Sequence, residues 1–115
     1  MSPPLAARDR RTLEDFMEFV ETAARLVERG RAAYDEDEML RLAAQSIVHR
    51  IGEAVARLDD GLVRAHPEVR WRLMKGMRNV VAHDYGAIDH VLVWDALERD
   101  LPREASEVAR ILRGE

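Results

Sequence analysis

Within Arg78-Asn79-Val80-Val81-Ala82-His83-Asp84-Tyr85 an arginine, a histidine and a tyrosine lie close enough in sequence to share one site. A histidine takes or returns a proton near neutral pH, and an arginine holds a phosphate and stabilises charge on its oxygens. Phosphodiester chemistry in RNA needs these groups when the RNA supplies its own 2′-hydroxyl as nucleophile, so the pattern demands neither a metal nor another cofactor. Asn79 suits hydrogen bonds to carbonyls freed at a helix end, or to His83. A structural reading of the same residues exists: Arg78 pairs with Asp84 or Asp89, His83 caps a helix, and Tyr85 fills a core gap. The residue types alone leave both open. In a continuous helix Arg78 and His83 would point about 140° apart. Their convergence therefore requires the helix to end near Ala82, as Gly86 suggests, or a second subunit to complete the site.

The elements that must position these residues read as helices. Apolar residues spaced by three and four from about Asp9 to Glu28 predict a first helix, with Gly30 as its stop. The acidic run Asp35 to Glu38 places negative charge where the next helix begins. That second, long helix runs from Met39 to Leu58, interrupted only by Gly52, which implies a close helix crossing. Pro67 is expected at the first position of a third helix covering about Glu68 to Val81, after a break at Asp59-Asp60-Gly61. Asp89 is placed to cap a fourth helix through Leu97. Pro102 stops or kinks it, and a short last helix covers Arg103 to Leu112. No segment alternates long enough to be a strand. The expected fold is all-α, an antiparallel bundle of four to five helices in a single domain over residues 1–115.

Composition bounds the function. The net charge of −4 argues against a broad surface for coating nucleic acid, yet Arg64, Arg70, Arg72, Lys75 and Arg78 face only Glu68 in their stretch, leaving room for a small basic site. There is no cysteine, no apolar leader follows Met1, and no apolar run is long enough to span a membrane, so a cytoplasmic location is expected. His49 and His66 lack companions at a convincing metal-ligand spacing. Trp71 and Trp94 read as core or interface anchors.

Across almost its whole length the chain resembles the HepT-like family of minimal HEPN-domain proteins. The hallmark is Arg-x4-His-x-Tyr, with Asn after the arginine, and Arg78 to Tyr85 fits it at every position. Ile51-Gly52-Glu53-Ala54, His66-Pro67-Glu68 followed by Trp71, Gly76-Met77, Val93-Trp94 and Leu101-Pro102 match in the same order. The resemblance implies a HEPN-like bundle and a metal-independent endoribonuclease toxin of a bacterial type VII toxin-antitoxin pair. It would act as a homodimer on an RNA substrate, with Arg78 and His83 catalytic and Asn79 supporting; Glu53 supports them if the second helix packs beside the third and points it into the cleft, and otherwise reads as a partly buried glutamate paired to an arginine. It further implies a nucleotidyltransferase antitoxin that silences the toxin by attaching AMP to Tyr85. The alternative is a non-catalytic subunit that binds a nucleotide or substrate for such a nucleotidyltransferase through the same Arg-His cleft. By this resemblance, the divergent Pro-rich N-terminus and the Tyr34 to Glu38 turn bear on partner contacts.

Overall fold

Aspartate side chains cap three of the helix starts in the computed structural model, which describes residues 4–79 and 89–115. Helix α1 spans Ala7–Glu28 and buries Leu13, Phe16, Ala23 and Leu26 along one stripe. Gly30, at φ 91°, turns the chain out of it; a side chain there would be strained, since only glycine adopts this region freely. A short helix α2, Arg31–Glu36, follows at once. It was not expected from the sequence, which read this stretch as a turn. Its role is packing: Tyr34 is fully buried, its hydroxyl donates to the His90 carbonyl oxygen at 2.8 Å, and its ring lies 5.0 Å from that of Trp94. Tyr34 is therefore a core residue, in a helix and not in a turn. Arg41 locks the end of α2 by donating to the carbonyl oxygens of Tyr34 and Asp35.

Asp37 caps the long helix α3, Glu38–Ala56, its side chain accepting from the Met39 amide at 2.9 Å. Asp59 caps a further short helix, α4, Asp60–Ala65, where the sequence suggested only a break.

The third long helix expected over Glu68 to Val81 is corrected more substantially. Pro67 sits in a turn, and α5 covers only Trp71–Gly76. The reason lies in another element. The amide of Arg70, which precedes α5, donates to the Glu104 carboxylate at 2.8 Å instead of to a helical carbonyl, and the Trp71 indole donates to the His66 carbonyl oxygen at 2.9 Å. These two bonds hold the entry to α5 in a non-helical path. After Gly76 the chain turns at Met77 and Arg78.

Beyond Asp89, which accepts from the amides of Val91 and Leu92, α6 covers His90–Asp95. A π-helical stretch, Ala96–Asp100, then leads directly into α7, Leu101–Leu112. Pro102 thus ends nothing. Its missing N–H and its ring would break an α-helix, and the wider turn immediately before it absorbs both effects. Helix α1 packs against α3 on one side and against the C-terminal helical run on the other, with α5 laid on α3. The protein is all-α, and among the described residues there is no strand. Trp71 and Trp94 are buried, as read. No helix among the described residues is long and apolar enough to cross a membrane.

Candidate active site

On α3, Ser46, His49, Gly52, Glu53 and Arg57 recur at intervals of three and four, so they form one stripe along the helix. Gly52 explains what this stripe faces. A Cβ at Gly52 would lie 2.8 Å from the Arg78 Cβ and 3.0 Å from its Cα, with the backbone amide nearer still. No side chain fits. The glycine lets the backbone of the turn after α5 rest directly on α3, the close crossing implied by the interruption in the apolar pattern.

That contact places Arg78 between two polar groups of the stripe. Its guanidinium pairs with Glu53 at 3.8 Å, and its carbonyl oxygen lies 3.4 Å from the His49 Nδ1, an arrangement that suits a protonated Nδ1 as donor. Both partners of the ion pair are about two-fifths exposed, 37% for Arg78 and 43% for Glu53. A pair this open contributes at most about 1 kcal/mol, so the guanidinium is available to an incoming anion. Beside it opens a groove of about 350 Å³, lined by Ser46, His49, Arg50 and Glu53 of α3, by Arg57 at its C-terminal cap and by Phe19 of α1.

Of the site residues expected from the sequence, Arg78 and Glu53 meet, and Asn79 is adjacent and exposed. His83 and Tyr85 lie outside the described residues, as do the pairing of Arg78 with Asp84 and the capping by His83. Helix α5 ends at Gly76, and Ala82, where the sequence suggested a helix end, lies outside the described residues. The sequence alone offers His49 only as an isolated metal ligand. Its spacing of four from Glu53, with Gly52 between, was the signal that it belongs beside the motif arginine. Among the described residues no three histidine, aspartate or glutamate side chains gather as a metal site. The basic stretch also needs correction: Arg70 is committed to Glu104 at 2.7 Å and to Asp100 at 3.4 Å, so it is not part of a free basic patch.

The arrangement has an arginine held by its backbone, a carboxylate and a histidine within reach of it, and an open groove alongside. The sequence model for proteins described as "Ribonuclease HepT-like" matches residues 11–111, which include this entire stripe and the motif. The chain belongs to the HepT-like ribonuclease family. This HepT-like protein is 32% identical over 98 residues to "Probable ribonuclease HepT" of Thermococcus cleftensis, covering 81% of the chain and 89% of the relative. It is 33% identical over 72 residues to "Putative RNase MJ1380" of Methanocaldococcus jannaschii, covering 63% of the chain and 66% of that relative. With "Putative RNase TTE0752" of Caldanaerobacter subterraneus it shares 29% over 80 residues, 70% of the chain and 71% of the relative. No solved structure matches it significantly.

Proposed function

We propose that this chain is a metal-independent endoribonuclease, the toxin of a toxin-antitoxin pair, active as a homodimer and silenced when a partner nucleotidyltransferase attaches AMP to Tyr85. The observation that carries the catalytic part is the seating of Arg78 on Gly52, beside Glu53 and at the edge of an open groove, in a chain of the HepT-like ribonuclease family. In the reaction, the 2′-hydroxyl of RNA gives up its proton to a base and its oxygen bonds to the adjacent phosphorus. The bond to the 5′-oxygen breaks, and that oxygen takes a proton. His83 is the proton-transfer group, and Arg78 holds the phosphate and stabilises its developing charge. A guanidinium suits this task because its planar fork grips two phosphate oxygens. Asn79 and Glu53 orient the two.

In the silencing step the Tyr85 oxygen bonds to the α-phosphorus of ATP and pyrophosphate leaves. The added phosphodiester charge beside Arg78 competes for the position of the RNA phosphate, and the nucleoside blocks entry. The test is cleavage of RNA by purified, unmodified protein in the presence of EDTA. Wild type should cut, and His83→Ala should not, with helical content and melting temperature nearly unchanged. An inactive wild type that still binds nucleotide would instead favour a non-catalytic binding subunit. Incubation with ATP and the cognate nucleotidyltransferase should label wild type and stop cleavage, and should leave Tyr85→Phe unlabelled and active. Labelled protein that cuts as fast as unlabelled would end the proposed control mechanism.

A further inference from the structure

The groove beside Arg78 has a composition that catalysis at the scissile phosphate leaves unused. Its walls carry two arginines, Arg50 of α3 and Arg57 at its C-terminal cap, seven residues apart, or about 10 Å along the helix axis. Arg50 is steadied by a hydrogen bond from its Nε to the Ser46 hydroxyl at 3.3 Å. The backbone beneath Arg57 is held by Arg8, whose Nη2 donates to the Arg57 carbonyl oxygen at 2.9 Å. Neither guanidinium is needed for the fold: both residues are exposed, and the ion pairs found in the described residues include neither of them. With Arg78, which pairs with Glu53, three arginines lie in or beside a groove whose lining holds one carboxylate, in a protein whose formal net charge is −4. Such a local excess of positive charge attracts an anion to this groove. Phe19, partly exposed, contributes an aromatic ring to the opposite wall.

We propose that this groove is a nucleotide subsite for single-stranded RNA: Arg50 and Arg57 hold the backbone of a nucleotide next to the one being cut, and its base lies against Phe19. This rests on the reading of the protein as a ribonuclease and extends it from the scissile phosphate to the neighbouring residue of the strand. Paired guanidiniums with an aromatic face are the usual means of holding single strands without reading their sequence. Double-stranded RNA buries its base faces and offers nothing for Phe19 to stack on.

The experiment measures binding of a short fluorescein-labelled single-stranded RNA to full-length protein in the uncleaving His83→Ala background, across a salt series. Arg50→Ala with Arg57→Ala should weaken binding at least about tenfold and reduce the slope of log Kd against log salt by about 0.7 per arginine. Phe19→Leu keeps an apolar side chain against the core but removes the ring. It should weaken binding about fivefold or more with the salt slope unchanged, and circular dichroism should confirm its fold. Binding within twofold of the parent and an unchanged slope in the double-arginine variant would overturn the subsite. So would retained RNA binding with lost labelling by the nucleotidyltransferase, which would make the groove a protein-docking surface. Wild type that fails to cleave while these variants lose RNA binding would sink the ribonuclease reading and leave the groove as a site that binds single-stranded RNA. Wild type that neither cuts nor binds RNA would remove both.

Discussion

At the scale of single residues, Gly52 links fold to site. Helix propensity alone says that Gly52→Ala should stabilise α3 by about 1 kcal/mol. The structure predicts the opposite sign, because the new methyl group meets the backbone of Arg78 and not a flexible side chain. Overpacking of this kind costs about 1–3 kcal/mol, so the variant should melt several degrees below wild type and lose RNA cleavage, as Arg78 is pushed from the stripe. A rise in melting temperature with full activity would show that the crossing is loose. Arg78→Lys tests the neighbouring link. A point charge keeps the attraction to Glu53 but not the fork, so activity should fall at least about a hundredfold with stability unchanged, as an assay of initial rates against a thermal melt would show. Gly52 and the motif were both evident in the sequence, but their contact was not, since nothing in a helix's own pattern says which turn of another element it meets. His49 shows the same limit: its role depends on a carbonyl twenty-nine residues away.

At the scale of elements, the cap at Asp89 could be read directly because it acts within three residues of itself, whereas at Asp37 the sequence showed only an acidic run at a helix start. The short α5 could not, because what shapes its start is a carboxylate from α7. Glu104 is wholly buried and accepts from the Arg70 amide and from the guanidiniums of Arg70 and Arg103. Burial pushes its carboxyl up, but the backbone bond and the two guanidiniums outweigh this and hold it below its ordinary value. A carboxylate held low in the folded state stabilises it above the unfolded value, near 4.3, and that contribution disappears as pH falls through the lower folded value. Stability should therefore be flat above about pH 5 and decline below it. Glu104→Gln should shrink that decline without abolishing it, since Glu68 and Glu115 are also held low. At neutral pH the variant should lose about 1–2 kcal/mol, read by denaturant unfolding. An unchanged acid limb would mean that Glu104 does not set the pH response. The π stretch before Pro102 was likewise invisible: a proline signals a break, and only the packing of the run against α1 keeps the chain helical through it.

At the scale of the whole molecule, the stripe on α3 changes character along its length. Toward the C-terminal end it carries His49, Glu53 and Arg57, while toward the N-terminal end the same spacing brings Met39 and Leu42, exposed by 77% and 55%. Helix α6, packed on α3, adds Val91 and Leu92, exposed by 50% and 62%. Apolar surface continuous with the site is what a two-fold partner would cover, so sedimentation at micromolar concentration should show a dimer. Leu42→Glu should shift it toward monomer with the helical content intact, and a clean wild-type monomer would count against a shared site. All-α architecture followed from spacing alone, whereas this exposed face did not, because the apolar pattern does not distinguish residues that fill a core from those that await a partner. The burial of Tyr34 has a spectroscopic consequence. The chain has two tyrosines, and one of them has its hydroxyl bonded inside the core to the His90 carbonyl oxygen, with burial pushing its ionisation above the ordinary range. Tyr34 is thereby closed to reagents and to enzymes in the native state, so any phenol that iodinates, ionises early or gains a nucleotide in the folded protein reports on Tyr85 alone, and each such signal can be counted as one per chain.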